Sequence, residues 1–231
     1  MISVFINDRL NDFDLDAALE QLSAQRREQT LRYRHEFGRR ASAVAYLLLC
    51  QGLKRLYDID EKPLFTFGEH GKPSIVGHTD IHFNLSHCKE AAICAISDRP
   101  VGVDIESPRE YRDSLVRYTM NDREVADIIQ SSCPDIMFTR LWTMKEAVVK
   151  LSGHGISNDM KHVLDGRAIK TYNLVDERPE TPNRVFEDNT VTNMPGLVTV
   201  DGPGMRYIYS VASEQSDASI PHFINFLPLT K

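Results

Sequence analysis

The sharpest alternation of hydrophobic and polar positions in the chain runs through the segment VGVDIE at residues 101–106. It predicts a strand that places Val101, Val103 and Ile105 on one face. The other face carries Gly102, Asp104 and Glu106. Carboxylates this close together repel each other unless a cation compensates them. The segment therefore predicts a strand with one apolar face and one face that carries two neighbouring acids, which a cation would stabilise.

Apolar residues recur at helical spacing between residues 134 and 151. They form one stripe of Phe138, Leu141, Trp142, Val148 and Val149. Glu146 and Lys150 are four residues apart, so they lie one above the other on a neighbouring face of the same helix. Gly153 follows as a suitable stop. The pattern predicts a long buried helix with a charged pair beside its apolar stripe.

The rest of the chain predicts shorter strands mixed with helices, which is the pattern of an α+β protein. The predicted strands cover residues 2–6, 64–67, 82–85, 91–96, 169–175, 196–200 and 206–212. The predicted helices cover residues 15–22, 39–57, 111–118 and 122–130. Residues 206–213 are weakly similar to residues 90–97, and each half of the chain contains one long helix. This similarity suggests two related halves.

Composition excludes several classes of protein. The formal net charge of -6 and the pI near 5.8 argue against a general nucleic-acid binder. Four cysteines without zinc-ligand spacing favour reduced thiols. The apolar start of the chain has no basic leader and reads as a strand, and no apolar run approaches the roughly 20 residues of a membrane helix. We therefore expect a cytoplasmic protein with no membrane or nucleic-acid partner.

Each polar pair has a simple structural interpretation beside the chemical one. Two acids at a strand end are more often a solvated edge than a metal site, although Mg²⁺ would suit their oxygen ligands. A Glu four residues before a Lys is a common surface pair. Lys72, in the turn Gly71-Lys72-Pro73, is a typical exposed lysine, and His87 at a strand end is more often structural.

Basic residues crowd one short interval of this acidic protein. They are Arg26, Arg27, Arg32, Arg34, His35, Arg39 and Arg40. Charge alone favours a solvated helix face.

Four motifs in order change the balance between these interpretations. GKP at residues 71–73, FNLSH at 83–87, VGVDIE at 101–106 and WTMKEAVVK at 142–150 together resemble the 4'-phosphopantetheinyl transferase superfamily, and its Sfp-like branch in particular. The resemblance is continuous from about His70 to Gly155. It implies two similar α+β halves related by a pseudo-two-fold axis, with the active site in the cleft between them. The halves would be residues 1–99, with coenzyme A contacts, and 100–231, with the metal site and catalytic helix. A chain that contains its own pseudo-dimer is expected to be a monomer.

The resemblance also implies a reaction. The 4'-phosphopantetheine group of coenzyme A would pass to a serine of an apo acyl or peptidyl carrier protein, and 3',5'-bisphospho-adenosine would leave. The implied metal ligands are Asp104, Glu106 and Glu124, for Mg²⁺ or Mn²⁺. Glu124 also completes a capping box with Asn121, which is its structural interpretation. Glu146 is the candidate general base, and Asp104 and Lys150 complete the catalytic set.

The coenzyme A contacts implied by the resemblance come from the first half of the chain. Lys72, Ser86 and His87 would contact the phosphates. The basic interval would supply cations for the 3'-phosphate, with Arg32 and Arg40 as the candidates by position.

Two functions of other classes remain open at this stage. A Mg²⁺-dependent phosphohydrolase of a nucleotide-like small molecule would use the same acids and lysines. A non-catalytic module that binds coenzyme A or a carrier protein would retain binding without Glu146. The motifs do not specify which carrier protein or pathway is served.

Overall fold

The fold was analysed in a computed structural model, which describes residues 2–153, 160–165, 168–173, 196–214 and 222–225. The strands are β1 (Ile2–Asn7), β2 (Phe65–Phe67), β3 (Pro73–Ile75), β4 (His82–His87), β5 (Ala92–Ser97), β6 (Val101–Glu106), β7 (Ala168–Asn173), β8 (Gly196–Asp201), β9 (Ile208–Ser213) and β10 (His222–Asn225). The helices are α1 (Leu15–Gln21), α2 (Ala24–Leu31), α3 (Glu36–Tyr57), α4 (Asp113–Thr119), α5 (Asp122–Gln130) and α6 (Pro134–Ser152). Short 3₁₀ turns lie at Met160–His162 and Pro203–Met205.

Two four-stranded sheets and one hairpin organise these strands. The first sheet has the order β10-β1-β5-β4, the second has the order β6-β9-β8-β7, and β2 pairs with β3. The pairs β1–β10 and β7–β8 are parallel, and the other pairs are antiparallel. The mixture of helices with mainly antiparallel sheets confirms the α+β prediction.

The layers follow from the apolar clusters. Helix α3 covers one face of the first sheet, where its buried residues pack with Phe5, Phe83 and Ile96. The other face of that sheet packs against the second sheet through a shared cluster that includes Val4, Ile93 and strand β6. Helix α6 covers the outer face of the second sheet. The order of layers is therefore helix, sheet, sheet, helix.

Strand β6 has the two faces that its alternation predicts. Val101, Val103 and Ile105 lie in the cluster between the sheets. The opposite face meets α6 so closely that a Cβ atom on Gly102 would overlap the carbonyl oxygen of Ala147. Glycine is therefore required for this close packing of strand and helix. The close packing places the carboxylate of Asp104 next to α6.

Strands β4 and β6 are also linked directly across the two sheets. The backbone N–H of Val103 donates to Asn84 Oδ1 at 2.9 Å, and the N–H of Ile105 donates to Ser86 Oγ at 3.4 Å. These contacts place the ends of the motifs FNLSH and VGVDIE side by side.

Most element boundaries lie within a few residues of the sequence predictions. Helix α3 begins three residues before its predicted start, and α2 was not predicted because its segment has no clear apolar stripe. Residues 174 and 175 of the predicted strand 169–175 lie outside the described residues. The division near residue 99 stays a prediction, as does the pseudo-two-fold axis; β10, from the end of the chain, pairs with β1 in the first sheet. No helix in the described ranges is long and apolar enough to cross a membrane.

Candidate active site

A cleft of about 520 Å³ lies where β4, β6 and α6 meet. It brings together residues from the first 90 positions and residues beyond position 100. Its lining is Arg26, Gln29, Tyr33, Phe65, Phe67, Gly71, Pro73, Asn84, Leu85, Ser86, His87, Asp104, Glu106, Trp142, Glu146 and Lys150. Six of the residues predicted for the site are among them: Ser86, His87, Asp104, Glu106, Glu146 and Lys150.

Helix α6 presents one edge to the cleft. Trp142, Glu146 and Lys150 follow each other at intervals of four, so they share a face of the helix. The helix is anchored behind this edge by a buried hydroxyl contact, 2.9 Å, between Thr143 and Ser210 of β9. The charged pair predicted beside the apolar stripe therefore faces the cleft, and Trp142 faces it too.

Asp104, Ser86 and Lys150 form a compact polar triad at the inner end of the cleft. Lys150 Nζ donates to Asp104 Oδ1 at 2.6 Å and to Ser86 Oγ at 3.0 Å. Ser86 Oγ donates to the same carboxylate oxygen at 2.9 Å. Asp104 is almost fully buried, so these hydrogen bonds take the place of water at its carboxylate.

Glu106 lies at the outer side of the same cluster. Its carboxylate is paired with the guanidinium of Arg109, and that guanidinium lies 5.6 Å from the centre of the Trp142 ring. The N–H of Arg109 donates to Thr139 Oγ1 at 3.3 Å, which ties the loop after β6 to α6. Arg109 thus joins the end of β6 to the tryptophan of the cleft wall.

The cluster has carboxylate oxygens without partners. Asp104 Oδ2 and Glu146 Oε1 are buried and accept no hydrogen bond in the described part of the chain. Burial, followed by the charge of Asp104, raises the pKa of Glu146 above its ordinary value. The same two causes, in the same order, raise the pKa of Glu106. Buried, mutually repelling oxygen ligands with free lone pairs fit a hard divalent cation.

The carboxylates are nevertheless not assembled as a finished metal centre. No group of three His, Cys, Asp or Glu side chains within the described ranges is arranged to hold a metal ion. Two of the carboxylates are instead paired with cations of the chain, Asp104 with Lys150 and Glu106 with Arg109. These two cations compensate part of the negative charge of the cluster.

Glu124 does not lie with the other predicted metal ligands. Its Oε2 is 2.8 Å from Nζ of Lys145, and it accepts the N–H of Asn121 at 2.8 Å. Asn121 Oδ1 in turn accepts the N–H of Glu124 at 2.9 Å, so the predicted capping box is present. With these partners the carboxylate already has its compensating cation, and it does not line the cleft.

The same cleft also carries hydrogen-bond donors suited to phosphate. His87 is half-buried, and its Nε2 lies 3.1 Å from the hydroxyl of Tyr33. Burial, and after it the charges of Arg26 and Lys150, lowers the pKa of His87 to about 4. The imidazole is therefore neutral at neutral pH, and it binds by hydrogen bonding rather than by charge.

Arg26 is the one arginine of the basic interval that lines the cleft. Its guanidinium is held by the carbonyl oxygen of Ser42 at 2.9 Å and by Gln29 Oε1 at 3.0 Å. Its Nε is buried and donates no hydrogen bond to the described residues. A buried cation with a free donor beside an open cleft is suited to an anion.

The other predicted phosphate ligands lie elsewhere. Arg32 is exposed and paired with Glu28, and Arg40 is held by Glu36 and by the carbonyl oxygen of Phe13. Lys72 donates to the carbonyl oxygen of Leu151 at 2.7 Å, at the end of α6. None of these three cations therefore lines the cleft. Gly71 and Pro73, the neighbours of Lys72 in its turn, do line it.

Arg26, Tyr33, Arg109 and Trp142 are among the residues at the cleft that were not predicted as site residues. A signal existed for Arg26, which lies four residues after Leu22 and four before Thr30 and so shares their buried face. A signal also existed for Trp142, at the helical interval of four from Glu146. Tyr33 and Arg109 lie in loops, where no periodicity indicates their direction.

Comparison with known proteins points to one family. A family model described as the 4'-phosphopantetheinyl transferase superfamily matches residues 100–188. A 4'-phosphopantetheinyl transferase of Bacillus subtilis is 29% identical over 158 residues, which cover 67% of this chain and 70% of the relative. The 4'-phosphopantetheinyl transferase gsp of Aneurinibacillus migulanus is 30% identical over 160 residues, covering 68% and 66%. The 4'-phosphopantetheinyl transferase AcpT of Salmonella typhi is 37% identical over 122 residues, covering 50% and 60%.

Proposed function

Because the chain belongs to the 4'-phosphopantetheinyl transferase superfamily and is a transferase enzyme, we propose that it transfers the 4'-phosphopantetheine group of coenzyme A to a serine of an apo acyl or peptidyl carrier protein. The observation that carries this proposal is the presence of two kinds of group in one cleft. Its lining includes oxygen ligands for a cation and hydrogen-bond donors for phosphate. A pyrophosphate with its metal ion requires both.

The carboxylates Asp104, Glu106 and Glu146 would hold the divalent cation, with Mg²⁺ the first candidate. Glu146 takes the place expected for Glu124, because it lines the cleft and has a free oxygen, whereas Glu124 is paired with Lys145. A bound cation would neutralise the charge that develops on the phosphate oxygens. The residues present fit such an ion by donor type, burial and repulsion.

The phosphates of coenzyme A would lie against Lys150, Ser86 and His87. Arg26, a buried cation that lines the same cleft, would compensate additional phosphate charge. In the reaction, the serine oxygen forms a bond to the β-phosphorus, and the bond from that phosphorus to the bridging oxygen breaks. The released product is 3',5'-bisphospho-adenosine. Glu146 is the candidate acceptor for the serine proton, directly or through water. Most of the catalytic effect would come from positioning and charge compensation.

Both walls of the cleft come from one chain, which supports a monomer as the active form. We further propose that it acts in the cytoplasm, where coenzyme A and reduced thiols occur together; the four cysteines form no disulfide in the structure.

A product analysis with and without carrier protein tests the proposal against the two other classes. The transferase releases bisphospho-adenosine from coenzyme A only when an apo carrier is present. A phosphohydrolase would break coenzyme A down without a carrier, and a binding module would release nothing. Glu146→Gln should stop the release, whereas the exposed control Glu61→Gln should not. Release that does not depend on carrier would overturn the transferase and favour the hydrolase.

A further inference from the structure

Tyr33 contacts His87 in the wall of the cleft. The tyrosine hydroxyl lies 3.1 Å from Nε2 of the imidazole, and the two ring centres are 5.5 Å apart in an edge-to-face arrangement. Both side chains line the cleft. Tyr33 is thus a hydrogen-bond partner of the His87 side chain in the cleft.

The position of Tyr33 is itself held by two features at the start of α3. Arg39 Nε donates to the carbonyl oxygen of Tyr33 at 2.9 Å. The tyrosine ring lies directly over Gly38, where an added Cβ would be 2.9 Å from the ring atom Cδ1. A side chain at position 38 would force the ring to shift. A loop residue with 40% of its surface exposed is therefore held on a rigid helix end.

The orientation of His87 matters because its imidazole is neutral. Burial and the charges of Arg26 and Lys150 lower its pKa to about 4. A neutral imidazole has one N–H, and the hydrogen bond made at one nitrogen determines whether the other nitrogen donates or accepts. An imidazolium would attract phosphate in any orientation, whereas a neutral ring contributes only when it is correctly turned and in one tautomer.

We propose that Tyr33 is a positioning residue for coenzyme A binding, which holds the ring of His87 through Nε2 in one orientation and one tautomer. The inference rests on the proposed function, since it assumes that His87 contacts a phosphate of coenzyme A. It assigns to Tyr33 an effect on coenzyme A affinity that passes through His87. Tyr33 acts on the histidine, and the histidine acts on the ligand.

A double-mutant cycle on coenzyme A affinity tests this route. Calorimetric titrations would compare wild type, Tyr33→Phe, His87→Ala and the double variant. Loss of one hydrogen bond predicts affinity about three- to ten-fold weaker for Tyr33→Phe in the wild-type background. In the His87→Ala background the same change should have no effect. An equal loss in both backgrounds would overturn the proposal, because Tyr33 would then act independently of the histidine.

Steady-state kinetics separate KM from kcat, and a residue with a purely structural role would not change KM for coenzyme A alone. Tyr33→Phe should raise KM for coenzyme A by the same factor and leave kcat within about two-fold. Tyr57→Phe is a matched control, because Tyr57 is 41% exposed and lies at the far end of α3. It should change neither constant. A loss confined to kcat in Tyr33→Phe would contradict positioning for binding.

Nuclear magnetic resonance separates this inference from the proposed function, since it needs no coenzyme A. The ring nitrogen shifts of His87 should indicate one dominant tautomer in wild type and a mixture in Tyr33→Phe. Unchanged shifts would overturn positioning even if the transferase is correct. Wild-type protein that binds no coenzyme A, with shifts that respond to Tyr33→Phe, would instead overturn the proposed ligand.

Discussion

The ion pair between Glu124 and Lys145 offers a sharp test of which carboxylates belong to the cleft. The Lys145 side chain is fully buried, and its ammonium donates to Glu124 at 2.8 Å and to the carbonyl oxygen of Met160 at 2.6 Å. Glu124 Oε2 also accepts the N–H of Asn121. If Glu124 is structural, its replacement should cost stability and leave catalysis intact in the folded fraction.

The magnitude follows from the burial of the pair. Removing one partner leaves the other charge buried and uncompensated, which costs about 3–5 kcal/mol. For a chain of this size each kcal/mol lowers the unfolding midpoint by about 2–4 °C. We therefore expect Lys145→Met to lower the midpoint by roughly 6–20 °C. Glu124→Gln should fall at the lower end, because the amide keeps an acceptor for the N–H of Asn121.

Thermal unfolding and carrier modification, measured on the same samples, decide the question. Below its midpoint, Glu124→Gln should keep most of the wild-type rate and the same dependence on Mg²⁺. Asp122→Asn, an exposed acid in the same first turn of α5, is the matched control and should cost at most about 1 kcal/mol. An unchanged midpoint together with lost activity that excess Mg²⁺ restores would refute this reasoning and return Glu124 to the metal site.

Three further outcomes follow from the same contacts. Asp104→Asn should abolish transfer while the circular dichroism spectrum stays native, because it removes a cation ligand but keeps the shape of the side chain; wild-type activity at limiting Mg²⁺ would contradict this. Gly102→Ala should cost about 1–3 kcal/mol or more in urea unfolding, because its Cβ meets the backbone of α6 at Ala147; an unchanged urea midpoint would contradict the close approach. The pKa values of Glu106 and Glu146 are raised, so the folded state binds more protons than the unfolded state. Without metal, the free energy of unfolding therefore falls as pH rises through the folded-state pKa values of these groups. In EDTA, Glu146→Gln should therefore be more stable than wild type at pH values where Glu146 is ionised, and equally stable at lower pH. A variant less stable than wild type at the higher pH would contradict this.

Local patterns predicted much of this fold. The alternation in β6 and the four-residue interval between Glu146 and Lys150 depend only on neighbours in the chain, and both are present as predicted. The capping box of α5 is equally local, and its helix has the predicted limits. Pairing of β10 with β1 joins residues more than 200 positions apart, and no local pattern contains that information.

The same distinction explains the site. Asp104 and Glu106 were recognisable because a strand places them on one face. The partner of Glu124 is Lys145, which lies 21 positions away on another helix. No local sequence pattern predicts an ion pair between them. In the sequence Arg26, Arg32 and Arg40 are equivalent arginines, and the packing of α2 and α3 decides that Arg26 lines the cleft.

The most direct test of the central claim is the intact mass of an apo acyl carrier protein after incubation with this protein, coenzyme A and Mg²⁺. We expect a gain of one phosphopantetheine group on the carrier, which disappears with EDTA and with Glu146→Gln. The exposed control Glu61→Gln should retain the gain. No gain on any of several carrier proteins, with coenzyme A broken down in their absence, would show that the protein is not a phosphopantetheinyl transferase.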